Sequence, residues 1–253
     1  GWNTFEECTA LTSITIPDSV TGSIGESAFY NCSQLTTVTI GNGVTNVENS
    51  AFGNCEKLKT VTIGDGLTKI SESAFADCSR LTDLTLGDNL EIIGSNAFKN
   101  CASLENVTIP GSVTTIGDDA FKDCVSLTSI SIPDSVTEIG ASAFLGCKKM
   151  TKAYIGSGVT KMLNTVFPYC DSLTEISVSA DNGKYYSSGN CLIDKEQGVI
   201  ISGCKTSVIP TDENVSRIGN YAFCGIIGLT EITIPENILS FGDGAFYGCS
   251  GLT

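Results

Sequence analysis

AFKDCVSLTSISIPDSVTEIG, residues 120–140, is one period of a pattern that fills most of the 253-residue chain. With Phe121 at offset zero, Cys124 follows at +3 and Leu127 at +6. Aliphatic residues come at +9 and +11 (Ile130, Ile132) and again at +15 and +18 (Val136, Ile139), before the next Ala143-Phe144. The Phe recurs as Phe5, Phe29, Phe52, Phe75, Phe98, Phe121, Phe144, Phe167, Phe223 and Phe246, with one interval of 24, six of 23, one of 56 and a last of 23. Self-similarity at such a period marks a solenoid, in which each coil buries its apolar edge against its neighbours.

Within the coil, Val38-Thr39-Ile40, Val61-Thr62-Ile63 and Val107-Thr108-Ile109 alternate aliphatics with Thr. That alternation predicts one short strand per coil with a single buried face. Strands repeating in one direction pair in parallel, about 4.8 Å apart. A turn follows each strand, as Pro-Asp-Ser at 17–19 and 133–135, Pro-Gly-Ser at 110–112, or Gly-x-Gly at 41–43 and 64–66. Pro fixes φ and Gly supplies positive φ, so both redirect the backbone. The return path, such as residues 116–121, is too short for a long helix, and a single irregular or 3₁₀-like turn is expected there. Phe52, Phe75, Phe98, Phe121 and Phe144 are expected to stack inside, beside a ladder of Cys55, Cys78, Cys101, Cys124 and Cys147.

Twelve Cys in a small secreted chain suggest a disulfide framework when irregularly spaced. Here nine sit at the +3 offset, which reads as a small hydrophobe filling a recurrent gap. Occasional cross-coil bridges stay open as an alternative. Net charge is −14, from 14 Lys and Arg against 28 Asp and Glu. That disfavours nucleic acid, which needs a basic stripe, and supplies no attraction to anionic lipid. No apolar run approaches the roughly 18 residues of a membrane span. The chain runs from Gly1 to Leu252-Thr253, just short of the strand its own repeat demands. It is therefore expected to be a single solenoid over 1–253, excised from a longer array.

Histidine is absent, which removes His-based triads and the commonest general base. No Gly-rich phosphate loop joins a strand to a long helix. Glu175 and Glu231 share the outward +8 offset two coils apart, as a solvated pair. Ser129, Lys152 and Glu175 occupy consecutive rungs, where Glu175 would hold Lys152 charged, giving a cross-strand ion pair rather than a nucleophile. Asp18, Asp65, Asp88 and Asp134 share a turn offset, but single carboxylates a coil or more apart cannot supply the six to eight oxygens of a calcium site. No catalytic, cofactor-binding or metal-ligating residue is expected.

LxxVxI with AFxxC upstream and IPxSVxxIGxxAF downstream resembles the BspA-like (Treponema pallidum type) leucine-rich repeats over nearly the whole chain. The resemblance implies an α/β-type leucine-rich-repeat solenoid, a right-handed stack of 23-residue coils. It also implies a bacterial or protozoan protein, secreted or at the cell surface and engaged in adhesion to host proteins or other cells. One departure is visible. The usual Asn or Cys three residues after the last strand Leu is Ser135, Gly43, Gly66 or Asn89 here, so no Asn ladder is expected.

Residues 179–208 interrupt the repeat, adding 10 residues over two coils of 23. Cys191-Leu192-Ile193 and Val199-Ile200-Ile201 flank Asp-Lys-Glu-Gln-Gly, which predicts an island hairpin near 180–205. Cys204 falls on a Leu position and is expected to be structural, with a Cys191–Cys204 bridge left open. The coil before the island is the most irregular. Lys148, Lys149, Lys152 and Lys161 are four of the 14 basic residues, and Tyr154 replaces the usual outward Thr or Ser. Tyr169, Tyr185 and Tyr186 lie close by in sequence. Lys152, Tyr154, Glu175, Tyr185 and Tyr186 are therefore the expected partner site, since aromatics are enriched in binding hot spots. The expected function is a non-enzymatic binding module meeting a host or cell-surface protein. A carbohydrate-binding module or a structural spacer are the alternatives; a glycan would want aromatics along the sheet, where only Tyr154 qualifies.

Overall fold

The computed structural model describes residues 1–163 and 165–253. Successive coils stack in register through parallel strands. The front strands Ser13–Ile16, Thr37–Ile40, Thr60–Ile63 and Asp83–Thr85 form one sheet, and Ser129–Ile132, Lys152–Ile155 and Glu175–Val178 form another. Between them, Val107-Thr108-Ile109 does not join the ladder, although its aliphatic alternation predicts a strand. Asp83, at the outward position of the coil before, and Asn106, at the outward position of the gap coil itself, are poor strand formers. Their side chains also accept hydrogen bonds from the Thr82 hydroxyl (2.8 Å) and the Thr128 hydroxyl (3.1 Å), which compete with pairing. Leu84, Leu86 and Val107 are left half-buried at the break.

Continuity comes instead from a second strand in each coil. Gly22–Ile24, Val44–Val47, Lys69–Ile70, Ile92–Ile93, Thr115–Ile116, Glu138–Ile139 and Lys161–Met162 build a seven-stranded parallel sheet without a gap. One strand per coil was the sequence expectation. The +15 and +18 aliphatics, such as Val136 and Ile139, are the inward residues of this second segment, and both are fully buried.

Among the described residues no helix forms, α or 3₁₀. The convex turn has a repeating reason. The residues two before and two after most of the stacked Phe adopt positive φ: Ser50 (54°) and Asn54 (58°) around Phe52, Ser73 (56°) and Asp77 (61°) around Phe75, Asn96 (56°) and Asn100 (59°) around Phe98. A left-handed residue every fourth position stops any right-handed helix from propagating. Asn, Asp and Ser carry it because short polar side chains tolerate this region best. Between coils, the Phe52, Phe75 and Phe98 amides donate to the carbonyls of Ala74, Ala97 and Ala120 at 2.8–2.9 Å. Where Val166 replaces Ala, the matching bond from Phe144 lengthens to 3.1 Å and the Phe144–Phe167 rings tilt to 21°.

The interior is a set of ladders. Eight phenyl rings, Phe5 to Phe167, stack in sequence with centroids 4.9–5.6 Å apart. Cys32, Cys55, Cys78, Cys101, Cys124, Cys147 and Cys170 each donate a thiol hydrogen to the carbonyl of the Phe one coil back, at 3.1–3.4 Å. Cys at this offset is thus both apolar filler and donor to a carbonyl's second lone pair. All twelve cysteines are free, Cys191 and Cys204 included. Burial pushes the Cys55 and Cys170 thiols up to about 12 and holds Cys78, Cys101 and Cys147 well above the ordinary thiol value. Since the thiolate is the reactive form, these groups are inert in the folded chain.

The island is a three-stranded antiparallel meander, one strand more than its sequence suggests. Tyr185–Ser188 pairs with Cys191–Asp194 around Gly189-Asn190, both at φ 56°, and Cys191–Asp194 pairs with Val199–Ser202. Two successive positive-φ residues make the tight turn that suits strand twist. Val199–Ser202 then resumes parallel stacking with Arg217–Ile218 and Ser240–Phe241. The middle strand divides the core: Leu192 packs into the long N-terminal core, and Cys191 and Ile193 into a smaller C-terminal one. Asn182 fastens the island down, donating to the Gly156 (2.8 Å) and Val159 (3.1 Å) carbonyls and accepting from the Lys184 (2.9 Å) and Tyr185 (2.7 Å) amides.

On the convex side the island contributes no Phe rung. Gly203 makes the bond that a Phe makes elsewhere, donating to the Ala222 carbonyl at 2.8 Å. The Phe223 ring fills the vacated space, so a Cβ on Gly203 would lie 2.0 Å from its Cε1. The phenyl stack therefore ends at Phe167 and restarts with Phe223–Phe246.

Candidate interaction surface

The outward face of the front strands carries the +8 and +10 side chains, mostly Ser and Thr. Strand register sets Lys152 opposite Ser129 on one side and Glu175 on the other. The Lys152 Nζ meets Glu175 Oε2 at 2.8 Å, with both side chains exposed. Hydrogen bonding and then the charge of Glu175 raise the Lys152 pKa above its ordinary value. Lys152 therefore stays cationic and cannot serve Ser129 as a base. Tyr154 lies between Ser131 and Ser177 in register and is 39% exposed, an aromatic in an otherwise hydroxyl-lined ladder.

The structure brings Lys152, Tyr154 and Glu175 together but separates Tyr185 from them. Tyr185 is buried, 3% exposed, and its hydroxyl accepts a hydrogen bond from the Met162 amide at 3.2 Å. It thus bonds the edge of the seven-stranded sheet where the island interrupts it, and is removed from the expected partner surface. Tyr186 is half-buried, opposite Ile193 in register and packed against the smaller core.

The turn carboxylates are also occupied. Asp18 Oδ1 accepts from the Asn42 amide (2.7 Å), Asn42 Oδ1 from Asp65 (2.8 Å), Asp65 Oδ1 from Asp88 (3.0 Å), and Asp134 Oδ1 from Ser157 (2.7 Å). An Asx ladder thus exists, at a different offset from the one the leucine-rich pattern normally uses. The Ser157 amide holds the Asp134 carboxyl below its ordinary value.

Two concavities escaped the sequence. One, of about 330 Å³, opens where the seven-stranded sheet stops, with Lys161, Lys184, Asp194 and Arg217 in its wall. Its lysines are compensated: Lys161 pairs with Glu138 at 2.8 Å, and Lys184 with Asp194 at 3.2 Å and with Glu196. The other, of about 380 Å³, lies on the convex side, between Tyr169, Tyr221 and Tyr247. It exists because the island skips a convex rung, so the Tyr169 amide bonds the Cys224 carbonyl (3.0 Å), 55 residues further along. Tyr169 (φ 57°) and Tyr221 (φ 54°) hold the left-handed conformation that other coils give to Asn, Asp, Ser, Gly or, once, Glu7. For bulky residues this costs about 1–3 kcal/mol each. Their rings lie across the next coil, over Gly225 and Gly244, where an added Cβ would come within 2.2 and 2.5 Å of ring carbons. The only legible signal was negative: Tyr at positions the repeat reserves for small polar residues.

A family model described as a BspA type leucine rich repeat region matches the chain in 6 copies, over residues 1–125, 91–192 and 200–253. A leucine rich cell surface protein from Faecalibacterium prausnitzii shares 31% identity over 96% of this chain and 60% of its own, with a TM-score of 0.69. A leucine-rich repeat protein from Eubacterium ventriosum, 21% identical over 95% of this chain and 66% of its own, shares the fold at a TM-score of 0.65. The T. pallidum leucine rich repeat protein is 25% identical over 85% of this chain and 77% of its own, at 0.51. The chain thus spans about 60% and 66% of the lengths of the first two. No curated protein matches it.

Proposed function

Because the chain belongs to the BspA type leucine rich repeat family, we propose that it is a non-enzymatic binding module of the cell surface or extracellular space, meeting another protein through its front strands. Leucine-rich repeats are in general protein-interaction modules, and the 31%-identical relative is described as a cell surface protein. The observation that carries the reading is Tyr154. Its exposed ring, beside the Lys152–Glu175 pair, replaces the Thr or Ser of neighbouring coils on a rigid sheet. A tyrosine there offers a large contact area at low entropy cost, with a charged rim to fix register. An adhesin role, in which the partner is a host or neighbouring-cell protein, is what the family resemblance suggests for this surface.

The test is affinity capture from extracellular extract, comparing the unaltered chain with a Lys152→Ala/Tyr154→Ala variant. At least a tenfold loss of the captured protein is expected. Capture that is undiminished in the variant removes this face from the function.

A further inference from the structure

Where the island skips a convex rung, the groove carries bulky rings at turn positions that most coils fill with small residues. Two of its rings, Tyr169 and Tyr221, sit on left-handed backbone, and strained residues cluster at ligand sites, where the strain is maintained for a purpose. Tyr221 (48% exposed) presents its ring to solvent, and Tyr247 lines the same groove. The lining adds Leu145, Pro168 and Cys224 as apolar wall, and Ser142, Thr165 and Asn220 as polar groups.

We propose that this groove binds a neutral saccharide. Three features select that class. The concavity, about 380 Å³, is of small-ligand size rather than the flat extent of a protein interface. No charged residue is among its described lining residues, in a chain that is 17% charged, so neither an anionic nor a cationic ligand finds a counter-charge. Aromatic faces are bordered by hydroxyls and an amide, which matches a sugar ring with apolar C–H faces and a hydroxyl perimeter. The Asn220 side chain is already oriented, its Oδ1 accepting from the Asp243 amide at 2.9 Å, and its Nδ2 donates to no acceptor among the described residues. Thr165 is not such a donor, because its hydroxyl is given to the Asn220 carbonyl at 2.8 Å. The ligand contacts are therefore the rings and hydroxyls of Tyr221 and Tyr247, the Ser142 hydroxyl and the Asn220 amide. This site lies apart from the Tyr154 surface and stands or falls independently of it.

The experiment is calorimetric titration of the chain with neutral gluco-, manno- and galacto-oligosaccharides, alongside a glucuronate oligomer and a proline-rich decapeptide. One of the neutral oligosaccharides binds, and Tyr247→Ala weakens it at least tenfold while Tyr154→Ala does not. Tyr221→Gly separates ligand binding from structure. It removes a ring from left-handed backbone, so the melting temperature rises while saccharide binding falls at least tenfold; a purely structural tyrosine would lower the melting temperature and leave binding alone. The proposal is overturned if no neutral oligosaccharide binds at about 1 mM, the weak end of specific association. It is equally overturned if only the peptide or the acidic oligomer binds, or if Tyr247→Ala and Tyr221→Gly leave saccharide affinity unchanged.

Discussion

Phe98→Ala tests whether the phenyl stack bears the stability its geometry implies. Phe98 is fully buried between Phe75, 5.5 Å away, and Phe121, 5.3 Å away. Losing its transfer free energy and leaving a cavity costs about 3–5 kcal/mol, a figure that already absorbs much of the two stacking contacts, worth roughly 0.5–1.5 each. Phe5 supplies the control. It has the same offset but is 42% exposed, with a single ring neighbour at 5.0 Å. Full burial of such a side chain contributes roughly 1.5–3 kcal/mol, so Phe5→Ala, about half as buried, should cost about 1. The expected gap is at least about 2 kcal/mol, read from urea unfolding of both variants by circular dichroism. Arrays can lose all-or-none cooperativity, so amide hydrogen exchange is needed beside it; in Phe98→Ala, protection should fall first between residues 75 and 121. Costs equal to within about 0.5 kcal/mol, the scatter of neutral surface changes, would mean that stacking on two sides adds nothing.

Asn182→Ala should cost about 3 kcal/mol or more, because it strands the Gly156 and Val159 carbonyls and the Tyr185 amide at about 1–3 kcal/mol per buried orphan. Thermal unfolding measures the loss, and exchange should show residues 185–202 opening early. Gly203→Ala places a Cβ 2.0 Å from the Phe223 ring and should cost 1–3 kcal/mol by overpacking, about that range being usual. A Tm unchanged from the parent would contradict that packing. Alkali should also destabilise the fold. Thiols such as Cys55 and Cys170 rise from 9.0 to about 12 on burial, so between these values the unfolded chain has lost protons that the folded chain keeps. Stability is then full below pH 9 and falls as pH climbs toward 12, and a flat urea midpoint over that window would show the thiols to be exposed.

The coil was legible because its signals are local. Phe121, Cys124 and Leu127 recur at fixed spacing, and one face of each strand alternates. The left-handed turns went unread: a single irregular or 3₁₀-like turn was expected, because the matching offsets of Ser50, Asn54, Ser73 and Asp77 mean something only once helix and left-handed turn are compared as rivals. The front-sheet gap at 107–109 was hidden, because Asp83 and Asn106 act through competing hydrogen bonds, one from the adjacent Thr82 and one from Thr128 in the next coil. Tyr185 read as a surface aromatic, yet Asn182 and the Met162 amide hold it inside. The Tyr169–Tyr221 groove left only the misplaced tyrosines as a trace in the sequence. It depends on contacts such as Thr165 to Asn220, 55 residues apart, created by a coil that contributes strands but no convex rung.

Counting reactive thiols reads the shared interior most simply. Of twelve cysteines, Cys8 alone is exposed and eleven are buried. A colorimetric thiol reagent at neutral pH should label one cysteine quickly in the native chain and the remainder only after denaturation. Fast labelling of four or more in the native state, at an unchanged circular dichroism spectrum, would mean that the coils do not enclose a common core.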